Sequence, residues 1–331
     1  MKPYSLFCGL VATGLLAGVM APPVGAELSS RPESAESAAK DQPIASTYRI
    51  EFMGNIQNAA LREASGLAVS TRSENVFWSH NDSGYGPSLF AFGEDGEPRG
   101  RFLVERAVSK DWEDMASFRW RGESWLLIAD VGDNSSRKPF YTLYLAKEPP
   151  LPKKRSNRLL PLRNVQMARL TYPTGAADTE AVAVDSRTET VYLVSKRERP
   201  ARVFSVPLSA FGSEDIVTAQ LETELYALPA PTLQDILDHP NLGFWFAQPS
   251  AMDIAPDGTF AVIHTYGHSY RFDRAETESW AEALAKAPRQ IEVPAMKQSE
   301  AVAIGLDSRN LYYTSEGRNP PLYRLVPDGA D

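Results

Sequence analysis

Five residues recur at matched places in this 331-residue chain, and each carries an oxygen ligand: Ser65, Glu113, Glu180, Ser250 and Glu300. Each opens a short, mostly apolar run, as in Ser65-Gly66-Leu67-Ala68-Val69 and Glu300-Ala301-Val302-Ala303-Ile304. Around one axis, three carboxylates repel one another, and a buried unpaired charge is costly unless it is neutralised or meets a cation. A set built only of Glu and Ser oxygens suits Ca2+, which takes roughly 6 to 8 oxygens in flexible geometry, with water completing the shell. No cluster of His and Cys offers zinc a site. The competing reading is that these side chains bond to nearby backbone amides or to water in a wide, wet channel.

A second set stands one β-hairpin downstream of each opening: His80-Asn81-Asp82, Asp130 with Asp133-Asn134, Ser195-Lys196-Arg197, His264-Thr265-Tyr266 and Glu316-Gly317-Arg318. In a hydrolase, Asp82, Asp130 or Asp133 would orient an attacking water, while Lys196, Arg197 or Arg318 would offset charge on a leaving group. His264 and Glu316 complete the candidate acid–base groups. Solvated loop rims also mix acids and bases in this way. Asp and Asn flanking a glycine, as in residues 130–134, are turn formers that satisfy their own backbone. His80 and His264 occupy equivalent places, where capping a strand end is the usual role. Ser83 and Ser195 are available as nucleophiles, but no Gly-x-Ser-x-Gly elbow is present, which weighs against a serine esterase.

Elements of a particular kind are needed to gather these residues. The runs at 67–69, 76–80, 89–92 and 101–105 are short, rich in β-branched and aromatic residues, and separated by turn signals such as Glu94-Asp95-Gly96. The pattern recurs after every opening, and four short strands per unit make the blade of a β-propeller. Fourth strands are expected at 48–53, 101–105, 168–172, 224–228 and 290–293. Five of each strand type then result, with the N-terminal strand closing the last blade. Five blades is the count; six, with one degenerate blade hidden in an insertion, is the alternative. The insertions are 149–165 and 229–245, the second with a short helix over 232–237. In a propeller the loop entering the first strand and the loop leaving the second open on one face, so both residue sets converge there. Trp78, Trp125 and Trp245, with Phe244 and Phe246, are expected to pack between blades. Residues 244–246 have a second reading, as an apolar lip over the funnel.

The order Ser, Glu, Glu, Ser, Glu, one per blade, is similar to that of the calcium-activated nucleotidases, or apyrases. That resemblance implies a five-bladed propeller with Ca2+ in its central channel. Asn81-Asp82 and Lys196-Arg197 also resemble that family, whereas the second-blade loop Ala129-Asp130-Val131-Gly132-Asp133-Asn134 departs from it. Ser315-Glu316-Gly317-Arg318-Asn319-Pro320-Pro321-Leu322-Tyr323 and Ser65-Gly66-Leu67-Ala68 resemble bacterial exported propellers of the phytase-like, esterase-like group.

Lys2, the apolar stretch 6–21 and Val24-Gly25-Ala26 read as a signal peptide, residues 1–26, whose apolar run is shorter than a membrane span; an uncleaved anchor is the alternative. Residues 27–45 read as a disordered lead-in, and 46–331 as one propeller domain. Cys8 is the only cysteine and lies in the signal segment, so the mature chain has no thiol, which suits a bacterial periplasm or exterior. A net charge of −8 and the absence of a long basic run argue against nucleic acid. The functional reading is a monomeric exported propeller with a central Ca2+ and a polar funnel, leaning to a hydrolase of phosphate-bearing or other ester substrates. The alternative is a non-enzymatic propeller that binds a protein, glycan or small ligand on the same face.

Overall fold

The computed structural model describes residues 47–153 and 158–329. The signal segment 1–26 and the lead-in 27–45 lie outside the described residues. Strands dominate, and they form five sheets. Blade 1 runs Ala64–Val69, Val76–Asn81, Ser88–Gly93, Pro98–Val104; blade 2 runs Trp112–Trp120, Glu123–Asp130, Tyr141–Lys147, Gln166–Thr171. Blade 3 runs Thr179–Asp185, Thr190–Ser195, Arg202–Pro207, Gln220–Glu224; blade 4 runs Pro249–Ile254, Phe260–Thr265, Ser269–Asp273, Arg289–Ile291. Blade 5 has Ser299–Ile304, Leu311–Ser315 and Pro321–Pro327 from the C-terminal end of the chain, and Tyr48–Asn55 pairs antiparallel along its outside. This is a five-bladed β-propeller.

The ring is held by apolar packing between blades. Buried apolar side chains fall into five clusters, each drawn from two neighbouring blades. One of them joins blade 5 to blade 1, with Ala301, Tyr312 and Leu322 packed against Leu67, Phe77 and Phe90. Trp78 lies between blades 1 and 2, and Trp125 between blades 2 and 3. The first strands also pack against one another in a closed cycle around the axis.

A first strand has one edge without a sheet neighbour, and its N–H groups need acceptors. Two buried carboxylates supply them. Asp114 accepts from Val182 N at 2.8 Å and Met252 N at 3.1 Å with one oxygen, and from Met115 N at 2.8 Å with the other. Asp253 accepts from Ile304 N at 2.7 Å and Ile254 N at 2.8 Å. The axis is thereby bolted across blades 2, 3, 4 and 5. Asp253 also lines a cavity of about 350 Å3, together with Ser117, Arg119, Asp185 and Leu306 among others.

Several details differ from the sequence expectation. The outer strand of blade 3 is Gln220–Glu224 rather than 224–228, because the chain turns at Glu224, whose carbonyl accepts from Tyr226 N at 3.0 Å. Insertion 149–165 contributes a fifth strand, Leu159–Leu162, parallel to the edge of blade 1, and Ile216–Thr218 adds likewise to blade 2. The helix near 232–237 is present as Leu233–Asp238, with Thr232 and Asp235 forming a capping box. A second helix, Trp280–Leu284, was not foreseen; its Trp280 indole donates to Asp185 at 2.9 Å. Phe244 and Trp245 do not pack between blades but lie exposed.

Asp114→Ala should leave three buried N–H groups without acceptors and lower stability by roughly 3 kcal/mol. Denaturant unfolding measures this, and a midpoint within error of the parent would show that water replaces the carboxylate.

Candidate functional site

Every first strand carries a bulge at the same place. The pairing register skips between Ala64 and Gly66, Trp112 and Asp114, Thr179 and Ala181, Pro249 and Ala251, and Ser299 and Ala301. The skipped residues are Ser65, Glu113, Glu180, Ser250 and Glu300. A bulged residue leaves the ladder and its side chain is re-aimed. All five are buried.

A second repeat sets the loops against them. The carbonyl two residues before each bulge accepts a backbone N–H from the loop leaving the second strand. The pairs are Asp82 N to Glu63 O at 2.9 Å, Gly132 N to Asp111 O at 3.4 Å, Lys196 N to Asp178 O at 2.9 Å, Tyr266 N to Gln248 O at 3.2 Å and Glu316 N to Gln298 O at 3.1 Å. Asp82, Gly132, Lys196, Tyr266 and Glu316 therefore form an outer rank facing the inner one.

The two ranks divide into three groups. Asp82, Asp111 and Glu113 bring one carboxylate oxygen each within 4.8 Å of one another and could hold a metal ion. Gly132 lies beside them, and a Cβ there would stand 1.8 Å from Glu113 Oε1 and 2.9 Å from Asp111 Cγ, so any side chain at this place would displace the Glu113 carboxylate. Lys196 Nζ pairs with Glu180 at 2.5 Å and lies 5.0 Å from the centre of the Tyr266 ring. Glu300 faces the Tyr266 hydroxyl and lies within hydrogen-bonding reach of Glu316.

Burial is the main electrostatic force on these groups, and neighbouring carboxylates add to it. It raises Glu113 well above the usual range, with Glu180, Asp82 and Asp111 pushing the same way. It moves Asp82 up to about 6, Glu180 and Glu316 to about 7, and Glu300 to about 8. For Glu180 the Lys196 ammonium opposes the rise. Burial also works against the charge on Lys196, but Glu180, Glu113 and Glu300 outweigh it and keep the ammonium charged. Asp82, Glu113, Glu180, Glu300 and Glu316 thus share the field of Lys196, while Asp111 is met by Lys138 at 3.5 Å.

The remaining sequence candidates have other duties. Asp130 accepts from Lys110 N at 3.4 Å and Asp111 N at 3.1 Å, which positions Asp111 rather than any substrate. Asp133 accepts from Lys138 N at 2.7 Å and the Tyr141 hydroxyl at 3.0 Å, so its oxygens brace the loop. Burial pushes the Asp133 carboxyl up, but these donors outweigh it and hold the group below its usual range. Arg197 Nε donates to Asp178 at 2.6 Å, and its other end reaches Asn134. Arg318 is exposed and makes no hydrogen bond or ion pair among the described residues. His264 is a correction: it is buried, with Nδ1 at 2.9 Å from Ser269 Oγ and Nε2 at 2.9 Å from Ser299 Oγ, and burial lowers its pKa to about 4. It ties blade 4 to blade 5 and has no free nitrogen for catalysis.

The expected five-residue ring is also redrawn. Only Glu113 of the five belongs to the compact carboxylate group; Glu180 is neutralised by Lys196, and Ser65 Oγ donates to the Glu113 carbonyl. Ser250 Oγ is buried without a partner among the described residues. Asp111 and Asp178 were missed by the sequence reading, although each stands two residues before a ring glutamate.

No protein-family profile and no curated protein matches the chain. Among solved structures, a gluconolactonase from Xanthomonas campestris aligns at 11% identity over 90% of this chain and 99% of that one, with a TM-score of 0.47. A glutaminyl cyclase from Myxococcus xanthus aligns at 12% over 86% and 99%, with a TM-score of 0.48. The Neurospora crassa Pan2 WD40 domain aligns at 7% over 80% and 64%, with a TM-score of 0.34. Similarities of this size assign no activity, and the fold assignment rests on the chain's own sheet order.

The raised carboxyls predict an inverted pH response. Between about pH 5 and pH 8 the folded state holds protons that the unfolded chain has already released, so stability falls as pH rises through the values of Asp82, Glu180, Glu316 and Glu300. Melting in chelator should show a lower midpoint at pH 8 than at pH 5; a midpoint that rises over this range would contradict the assignment.

Proposed function

We propose that this chain is an exported propeller hydrolase that binds Ca2+ at the mouth of its funnel and cleaves phosphate-bearing or other ester substrates there. The observation that carries the reading is the convergence of six carboxyl groups, five of them in the field of Lys196, with three grouped beside a glycine whose Cβ would displace the Glu113 carboxylate. A cation relieves that repulsion directly. Oxygen donors alone fit Ca2+ rather than zinc, and the orphaned Ser250 hydroxyl adds a polar atom on the inner rank. Asp82, Asp111 and Glu113 would hold the ion. Bound there, Ca2+ supplies positive charge to a phosphoryl or carbonyl oxygen.

The chain's own groups have defined tasks in this reading. Glu300 and Glu316 share a proton next to the site and act as the acid–base pair. Tyr266 stays a neutral donor, since burial and then the Glu300 and Glu180 charges push its hydroxyl far up. Lys196 supplies fixed positive charge, and Arg197, oriented by Asp178 and Asn134, offers it at the rim. The resemblance of Asn81-Asp82 and Lys196-Arg197 to the nucleotidases supports a phosphate-bearing substrate. The N-terminal segment supports export to a bacterial periplasm or exterior, where Ca2+ is available to a monomer. Among the described residues no helix is long and apolar enough to cross a membrane.

One observation favours a non-enzymatic reading in which a protein, glycan or small ligand binds the same face. The Lys196–Glu180 pair and the Asp130 and Asp133 contacts satisfy those residues without a substrate. Turnover separates the two readings.

Metal analysis of the purified chain should find bound calcium, and Ca2+ at a hundredfold excess over its Kd should raise the melting midpoint by about 5 °C. Asp82→Asn and Asp111→Asn should abolish that shift and cut ester turnover at least about a hundredfold, with the circular dichroism spectrum unchanged. A midpoint indifferent to both calcium and chelator would remove the metal from the reading. Gly132→Ala should displace the Glu113 carboxylate and weaken calcium binding at least about tenfold, as calorimetric titration would report.

A further inference from the structure

We infer that the insertion between blades 3 and 4 is the apolar half of the same site and binds the hydrocarbon chain of an amphiphilic substrate whose polar head enters the carboxylate funnel. The head-group half of this inference rests on the proposed function; the apolar half rests on the following geometry.

Residues 225–248 join the outer strand Gln220–Glu224 to the inner strand Pro249–Ile254, on the face where Ser250 enters the channel. Helix Leu233–Asp238 has no buried residue. Leu233 and Leu237, one turn apart on the same side, are 72% and 62% exposed. Leu242, Phe244 and Trp245 follow in the next turn, at 59%, 58% and 47%. Five large apolar side chains exposed within one short segment exceed the scattered exposure of an ordinary surface and mark a binding face.

The segment is held rigidly. Gly243 packs so closely on the helix that a Cβ would lie 2.4 Å from Asp235 O, and its N–H donates to His239 O at 2.7 Å. Asp235 accepts from His268 Nε2 at 3.1 Å, Gly267 N donates to Phe246 O at 3.3 Å, and Arg199 donates to Phe244 O at 2.8 Å. An apolar surface ordered before its ligand arrives loses little entropy on binding.

What the face would bind follows from its neighbours. Tyr266, whose N–H is anchored to Gln248 O at 3.2 Å, carries the chain from the insertion to Glu300 and Lys196. Arg199 stands at the foot of the apolar turn, and Arg197 two residues away bounds the funnel. Apolar surface, cationic rim and metal-capable funnel therefore succeed one another over a short distance. That order matches a single-chain amphiphile with a phosphate-bearing head. An anionic bilayer matches it less well, because Asp235 and Asp238 lie in the same helix and the chain carries a net charge of −8.

The test is calorimetric titration of the full chain with hexyl-, octyl- and decylphosphocholine, each below its micelle-forming concentration, in calcium and in chelator. Affinity should tighten at least about tenfold from the six-carbon to the ten-carbon chain. The Phe244→Ser, Trp245→Ser double variant should lose that trend while keeping its calcium-dependent melting shift, and Leu237→Ser provides a milder check if the double variant misfolds. Affinity independent of chain length, or a trend unchanged in the variants, would overturn the inference. So would binding to phosphatidylglycerol-containing vesicles without binding to monomers, or a concentration-dependent dimer dissolved by the same substitutions. A chain-length trend in a protein that ignores calcium would uphold the apolar face and sink the metal reading alone; a calcium response without the trend would do the reverse.

Discussion

One constraint, applied five times, organises this molecule: a bulged residue at the start of each inner strand, locked by a hydrogen bond from the neighbouring loop to the carbonyl two residues earlier. The bulge releases a side chain from the sheet ladder and turns it toward the axis. The hydrogen bond brings the loop leaving the second strand against it. Neither element needs a particular side chain, because both are made by backbone. The blade can therefore place Ser, Glu, Lys, Tyr or Gly at equivalent points, and the chemistry of the mouth is free to differ from blade to blade.

That freedom is used asymmetrically. Blades 1 and 2 contribute Asp82, Asp111 and Glu113, which have no lysine of their own except Lys138, 3.5 Å from Asp111. Blade 3 contributes an internal ion pair, and blades 4 and 5 contribute a tyrosine and a pair of neighbouring carboxyl groups, Glu300 and Glu316. A ring of identical ligands would centre a cation on the axis. The observed division moves the metal-capable group to one side and leaves the axis itself to Asp114 and Asp253, whose oxygens are occupied by strand N–H groups. Structural and reactive carboxylates are thus separated along the same channel, and the distinction lies in whether backbone donors surround them.

The second-blade loop shows how a motif that looks catalytic can be a scaffold. Asp130, Gly132 and Asp133 are spaced like active-site residues, yet Asp130 fixes the backbone of Asp111, Gly132 makes room for Glu113, and Asp133 braces its own turn. His264 misleads in the same way. It lies next to last in the strand Phe260–Thr265, in a position that faces the funnel in a schematic blade, but its ring turns into the seam between blades 4 and 5 and bonds Ser269 and Ser299. Side-chain direction at a strand end depends on the neighbouring blade, and no local pattern encodes that.

The repeat was legible in the sequence because it is local: strand lengths, turn signals and the five opening residues recur at readable intervals, and they determined an all-β, five-bladed architecture and which residues approach its axis. The helix cap at Thr232 was legible for the same reason. Which carboxylates would group, and which would be neutralised, depended on contacts between residues far apart in the chain, such as Asp82 with Asp111 and Glu113. The exposure of Phe244 and Trp245 likewise depended on how tightly Gly243 packs against the helix. Periodicity specifies the order of strands. Only their closure into a ring sets the sub-ångström to few-ångström spacings on which charge pairing, desolvation and cation binding depend.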